Sequence, residues 1–404
     1  MARAVGRRGV TAPLGYLAGA SAAGIRGKGE ARLDVAVLCS ALPAVPAAVY
    51  TTNRVQAAPL LVTRRHTATG LIRAVVINSG NANACTGPQG ESDALAMARA
   101  TAEALDLPTE QVAVASTGVI GVPLPIERVL SGARQAAAHL SEDGGRTAAQ
   151  AILTTDTFAK EATVRARVGG QEVTIGGMAK GSGMIHPNLA TMLAFLTTDA
   201  RVEPGAWQRA LSTVVERTFN RITVDGDTST NDMVLALANG AAGGPLLNEA
   251  SPAWPDFVTA LESTARSLAR DIARDGEGAT RLLEVVVRGG ASEAEAARAA
   301  RAVAGSSLVK AAVHGADPNW GRILAALGRS GLPLDPLRTS IWIGPVQVAA
   351  QGQGLPFAEE EARRALLQDT ATISVDLGLG EAEATAFGCD LSARYVEINA
   401  AYRT

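Results

Sequence analysis

A glycine-rich stretch, residues 176–191, carries Lys180, Ser182, His186 and Thr191 and runs straight into the apolar segment Met192, Leu193, Ala194, Phe195 and Leu196. The pattern sets a hydroxyl residue at the head of a predicted buried strand, with the small Ala190 just before it. This suits a chain that cuts itself between Ala190 and Thr191 and then uses the freed Thr191 as its nucleophile. A threonine hydroxyl is a weak nucleophile without a neighbouring base. A new α-amine with a pKa of about 8 supplies that base within the same residue.

Other groups with chemical potential lie at predicted element ends. Thr117 and Gly118 close a strand; a glycine N–H beside a hydroxyl offers two donors to a developing oxyanion, and the same pair also reads as an ordinary strand exit. Thr154, Thr155 and Thr157 crowd hydroxyls around Asp156 at a helix end, where they equally suit capping. Glu277 stands between Gly276 and Gly278, able to hold an amine or only to polarise a turn. Lysine is scarce: Lys28, Lys160, Lys180 and Lys310 are the only lysines among 37 basic residues. That singles out Lys180, against the plain reading of a solvated loop side chain. His66, His139, His186 and His314 have no partner at metal-ligand spacing, so no metal is expected. No nucleophile elbow, P-loop, metalloprotease helix motif or dinucleotide fingerprint occurs.

The elements that must position these groups alternate along the chain. Strands are predicted at 73–78, 111–115, 192–197, 281–287 and 307–313, with a last one at 394–399. Helices are predicted at 92–105 (capped by Ser92 or Asp93), 127–139, 206–218, 255–274 and 293–303. Strands 161–168 and 171–175 flank Gly169 and Gly170, a hairpin signal. Asp317 or Asn319 is expected to cap a helix after His314. The mixture of hairpins and helices predicts an α+β fold of layered sheets and helices, with a boundary near 280.

Composition narrows the class. A formal net charge of −2 gives no electrostatic case for nucleic acid or an anionic membrane surface. Cys39, Cys85 and Cys389 match no zinc or redox spacing and are read as structural thiols in a reducing cytoplasm. The N-terminal arginines before residues 14–22 only imitate a signal peptide, because Pro13, Gly15 and Gly19 break the apolar stretch. No segment approaches the ~20 apolar residues of a membrane span.

Several segments together resemble the ornithine acetyltransferase family of arginine biosynthesis. They are residues 9–13, 51–54, 78–87, 116–121, 154–157, 180–191, 275–280, 314–322 and 395–400, in order along essentially the whole chain. The resemblance implies a layered αββα-type sandwich of the self-cleaving amidase type, with a catalytic part at 1–280 and a smaller C-terminal α/β domain at 281–404. It implies cleavage between Ala190 and Thr191 into an α chain, 1–190, and a β chain, 191–404, assembled as α2β2. Thr191 is then the nucleophile that moves acetyl from N²-acetylornithine to glutamate. Thr117 and Gly118 match the oxyanion hole. Thr154, Lys180, Thr191, Glu277, Asn399 and Thr404 match substrate-contacting positions. No cofactor is implied; acetyl-CoA, used by some relatives, is left open as a co-substrate. The chain departs from the pattern at Ala159, where many relatives carry proline, and at Ala401, where an acidic residue is common. The second change puts the Asn399 and Thr404 contacts in question. Two further readings stay open: an amidase of the same fold with water as acceptor, and a binding protein that kept the fold.

Overall fold

Period-two alternation decides which layer each strand residue faces. Strand β3 (Ile72–Asn81) turns Val75 and Ile77 to one side and Ala74 and Val76 to the other. In β7 (Leu193–Val202) and β8 (Met233–Leu247), Leu193, Phe195, Leu235 and Leu237 join the same side as Val75 and Ile77. Their alternates Ala194, Leu196, Val234 and Ala236 face away into another core. Strands buried on both faces read as unbroken apolar runs, as these do. The structure is a computed structural model that describes residues 8–25, 32–186 and 192–401. Ala190, Thr191 and Thr404 therefore lie outside the described residues.

Eight strands are connected through one long element. β1 (Tyr16–Ser21) pairs antiparallel with β2 (Val35–Tyr50). The first part of β2 pairs with β3; after an irregularity between Cys39 and Ala44 its second part pairs with β8. β3 also pairs, in parallel, with β4 (Val112–Val119). β8 continues through β7 to the hairpin of β5 (Lys160–Val168) and β6 (Gln171–Lys180). The two halves of this sheet share the inner core of Val75, Ile77, Phe195 and Leu235, so β2 carries the chain from one layer to the other. Helices α2 (Gly87–Leu105) and α3 (Ile126–Ala138) cover the outer face of the first half, packing Met97 and Val129 against Val76. α5 (Pro204–Arg217) and α6 (Trp254–Arg274) cover the second half. On α6 the stripe Phe257, Leu261, Leu268 and Ile272 is fully buried, the spacing of a one-faced helix. The order helix, sheet, sheet, helix is the layered α+β sandwich expected. α1 (Ala58–Thr67) and α4 (Gly145–Ala151) fill its margins.

A second sheet orders its strands as β12 (Gln353–Gly354), β11 (Val346–Ala350), β10 (Ser340–Ile343), β13 (Thr370–Asp376), β9 (Leu282–Gly290) and β14 (Ala382–Cys389). It has its own core, built with α7 (Glu293–Ala304), α8 (Ser307–His314), α9 (Trp320–Gly328) and α10 (Glu359–Leu366). Leu282, Phe387 and Cys389 reach instead into the first core. The chain ends on α11 (Ala393–Ala401).

Several expectations change. Residues 307–313 form helix α8, not a strand: Val309, Lys310, Ala312 and Val313 are buried, a helical spacing that a short apolar run disguises. Residues 394–399 belong to helix α11; the alternation of Tyr395, Glu397 and Asn399 with Val396 and Ile398 imitates a strand, yet Val396 is 65% exposed. α2 begins at Gly87, before the expected caps, because Pro88 sits in the first turn where its missing N–H costs nothing. β4 runs through Thr117 and Gly118 rather than ending before them. Lys180 is the last residue of β6 and is buried, not a loop lysine. The Gly169–Gly170 turn holds, with both φ positive, and Asn319 caps α9 through the Arg322 N–H. The three cysteines are free; Cys85 is exposed, and only Cys39 and Cys389 are packed inside.

Candidate active site

The parallel pair β3–β4 ends in backbone that only glycine tolerates. Gly118 has φ +136° and lies against Gly80, so close that a Cβ would sit 2.3 Å from the Gly80 carbonyl carbon. Polar side chains tie these ends together. The Ser116 hydroxyl donates to Asn78 Oδ1 at 2.6 Å, and Asn231 Nδ2 donates to the carbonyls of Ala82 (2.7 Å) and Ser116 (2.8 Å). Thr117 and Gly118 thus stand at a rigid strand end, facing a cavity of about 100 Å³. Gly118→Ala keeps the backbone N–H but drives a Cβ into the Gly80 and Asn81 backbone at a left-handed φ, so the strand end must shift and the fold is expected to lose about 1–3 kcal/mol. Thermal unfolding checks this, and a variant as stable as the parent would show that the strand end yields to a side chain at no cost.

A buried ionic platform supports Thr154 and Lys180, which line the cavity. Lys160, with no exposed side-chain surface, donates to Asp156 Oδ1 at 2.8 Å and Asp275 Oδ2 at 2.6 Å. Asp156 also accepts the Thr154 and Gly181 N–H groups at 3.0 and 2.7 Å. Lys180 Nζ donates to Thr154 Oγ1 at 2.7 Å and lies 3.8 Å from Asp156 Oδ2. Burial opposes the Asp156 charge, but Lys180 and Lys160 together hold its carboxyl well below the usual carboxylate range. Asp275 accepts the Thr157 N–H and hydroxyl, and its carbonyl accepts the Ser182 hydroxyl at 2.6 Å. The Thr154 turn, the end of β6 and the 275–278 turn are therefore one unit. Three of the four lysines, Lys160, Lys180 and Lys310, are buried.

Glu277 provides the acidic end. It is 6% exposed, and Oε2 accepts the Asn399 Nδ2 at 2.8 Å from α11. Its carboxylate lies so near Gly183 that a Cβ there would meet it at 2.4 Å. Asp225 accepts the Met184 and Ile185 N–H groups at 2.6 and 2.9 Å, and burial raises its pKa. Burial, then the charges of Asp225, Glu277 and Asp227, push the Tyr395 hydroxyl far above its ordinary value. A buried carboxylate paired with a neutral amide, with no ion pair among the described residues, favours a cationic group at this end. Beside the pocket, the fully buried Asp232 accepts the Met192 N–H at 2.8 Å, and burial keeps its carboxyl pKa well up.

The described cavity gathers Thr117, Gly118, Thr154, Lys180, Glu277 and Asn399, every expected oxyanion and substrate position among the described residues. It also contains residues that sequence reasoning passed over: Asp225, Asp227, Ser229, Asn231 and Tyr395. The dense polar run from 225 to 232, set between an amphipathic helix and an apolar strand, was the available signal. His186 contacts Thr223 Oγ1 at 3.1 Å, and His314 pairs with Asp390 Oδ2 at 2.7 Å.

A glycine-lined strand end, a lysine pole and a carboxylate pole within a layered α+β sandwich define an acyl-transferring enzyme acting on small charged molecules. The chain belongs to the ArgJ family, which it matches over residues 17–404, and it is an acetyltransferase of arginine biosynthesis. It is similar to an arginine biosynthesis bifunctional protein of Symbiobacterium thermophilum, 57% identical over 98% of both chains. A crystal structure of the corresponding Bacillus halodurans protein is 49% identical and covers 52% of this chain and 98% of its own, with a TM-score of 0.51. The ornithine acetyltransferase of Mycobacterium tuberculosis, solved with ornithine, is 41% identical over 45% of this chain and 95% of its own, with a TM-score of 0.40.

Proposed function

We propose that the chain cuts itself between Ala190 and Thr191 and that Thr191 then carries acetyl from N²-acetyl-L-ornithine to L-glutamate. Thr191 Oγ attacks the acetyl carbonyl while its proton passes to the α-amine of the same residue. Thr117 and the Gly118 N–H hold the oxyanion. Collapse breaks the amide bond, returns the proton to the departing ornithine amine and leaves an acetyl-Thr191 ester. The α-amine of glutamate then attacks the ester, giving N-acetylglutamate and free Thr191. Lys180, set by Thr154 and Asp156, pairs with a substrate carboxylate; Glu277, held by Asn399, pairs with a substrate ammonium. One observation carries this reading: five separated segments bring the residues expected for the oxyanion hole and the substrate contacts to one small cavity. The Bacillus halodurans chain is consistent with the cleavage, since 98% of it matches only 52% of this chain, as a cleaved fragment would. Thr404 joins the site in this reading, residues 281–404 form the smaller domain, the fragments assemble as α2β2 in the cytoplasm, and acetyl-CoA is the second acetyl donor, with no resident cofactor.

A denaturing gel tests the first step. Two fragments, 1–190 and 191–404, are expected, whereas a single 41.3 kDa band would overturn self-cleavage and favour a binding protein. Labelled acetylornithine tests the second. Label should stay on the 191–404 fragment until glutamate is added; steady release to water would indicate an amidase instead. Glu277→Ala is expected to lower kcat/KM for acetylornithine by a factor of ~10 to 100, the worth of one charge-assisted hydrogen bond, with self-cleavage intact. An uncleaved variant would show that Glu277 serves both steps.

A further inference from the structure

A second concavity, of about 590 Å³, lies between α5 and α7 and has no part in the acetyl-transfer steps above. Arg217, Arg221, Arg298 and Arg301 line it, against the carboxylates of Glu216 and Glu293. The carboxylates do not balance the guanidinium groups. Glu293 is divided between Arg217 at 3.0 Å and Arg221 at 2.6 Å, and Glu262 reaches Arg217 only at 3.9 Å, which leaves four guanidinium groups against three carboxylates. Glu216 reaches Arg301 only at 3.8 Å. Arg298 makes no ion pair among the described residues. Arg221 is 6% exposed, and its Nε has no hydrogen-bond partner among the described residues. Leaving a buried charged donor unmade is expensive unless a ligand completes it. Burial lowers the Arg301 pKa below the ordinary guanidinium value; Glu216 opposes that shift, and the charges of Arg221 and Arg298 add to it.

This groove is close to the acetyl-transfer cavity. Arg221 in the groove and Asp225 in the cavity are four residues apart, which limits their separation to about 14 Å of chain. His186 follows Met184 of the cavity by two residues, and after burial the charge of Arg301 is the main influence lowering its pKa. Arg298 and Arg301 lie three apart on α7, so both present guanidinium forks from one face. Such forks match phosphate oxygens in paired hydrogen bonds.

We propose that this arginine groove is a phosphate subsite that takes the phosphorylated nucleotide end of a coenzyme A thioester, whose flexible arm passes His186 and Thr223 to deliver its acetyl group to the cavity. The proposal rests on the reading of that cavity as an acetyl-transfer site with two donors. It gives a bifunctional enzyme a physical means of accepting a large phosphorylated donor and a small amino-acid donor at one nucleophile.

The test uses the cleaved, full-length protein and a double variant, Arg298→Ala with Arg301→Ala. KM for acetyl-CoA with glutamate should rise by about tenfold or more, the loss expected for charge-assisted contacts. Acetylornithine–glutamate exchange and turnover of an acetyl-pantetheine thioester, which lacks the phosphates, should stay within about twofold. Calorimetry with 3′,5′-ADP should show binding to the parent, weakened by salt, and none to the variant. Equal losses with acetylornithine or acetyl-pantetheine would overturn the proposal, as would unchanged 3′,5′-ADP binding in the variant or none in the parent. If the parent does not turn over acetyl-CoA yet binds 3′,5′-ADP through these arginines, the phosphate subsite stands and the two-donor reading falls.

Discussion

Thr191→Ala is expected to leave the chain as one 41.3 kDa band and to bring acetyl transfer down to the uncatalysed background. Alanine keeps the backbone and removes the one oxygen that, in the proposed mechanism, attacks twice, first in self-cleavage and then on acetylornithine. The fold should not suffer. The neighbouring Met192 is anchored through its N–H to Asp232, and the strands beyond it pair from Leu193 with Met233 onward. Thermal unfolding of the variant should therefore match the parent, which separates lost chemistry from lost structure. Thr191→Ser supplies the contrast: it retains hydroxyl and prospective amine, so cleavage and transfer should both persist at reduced rate. Transfer by Thr191→Ala at the parental rate would end the N-terminal nucleophile mechanism, because no other residue is asked to carry the acetyl group.

Legibility in the sequence followed the range of the interactions involved. The hairpin at Gly169 and Gly170 and the long helix α6 were readable because turn chemistry and a one-sided apolar stripe are local signals. Helices α8 and α11 were misread as strands for the opposite reason. Their runs are short, and only packing tells a strand from a helix over so few residues. That error matters at the site, since i to i+4 spacing on α11 is what brings Tyr395 and Asn399 to the same cavity. Thr117, Gly118, Lys180 and Glu277 could be named from motif resemblance, yet their distances could not. Lys180 looked like a loop residue, and nothing local shows that Asp156, Lys160 and Asp275, up to 118 positions from their partners, would close around it. Nor does local sequence show that α5 and α7 would trap an arginine groove between them.

Lys160→Met is expected to destabilise the fold by about 3–5 kcal/mol, the cost of removing one partner from a buried ion pair. Methionine fills a similar volume, so packing is preserved and the effect isolates charge. In the parent, one ammonium with no exposed surface bridges Asp156 and Asp275. Without it two buried carboxylates share only Lys180, which is 3.8 Å from Asp156. A loss of that size is a large part of the ~5–15 kcal/mol that holds a typical domain. The sign of its pH dependence follows from Asp156, whose folded-state pKa is depressed. Its stabilisation is fully present above the unfolded carboxylate value of about 3.9 and fades as the pH falls below it toward the folded value. The variant removes one of the two lysines that depress that pKa, leaving Lys180 as the other, and acid relieves its unpaired charges. The gap between parent and variant in denaturant unfolding should therefore be widest near neutrality and shrink below pH ~4. A gap that stays constant with pH would mean that Lys160 contributes packing alone. Because Asp156 also holds the Thr154 and Gly181 N–H groups, the same substitution should loosen the lysine pole of the cavity and raise KM for acetylornithine while self-cleavage continues. Folded Lys160→Met protein with an unchanged KM would uncouple the ionic platform from substrate binding.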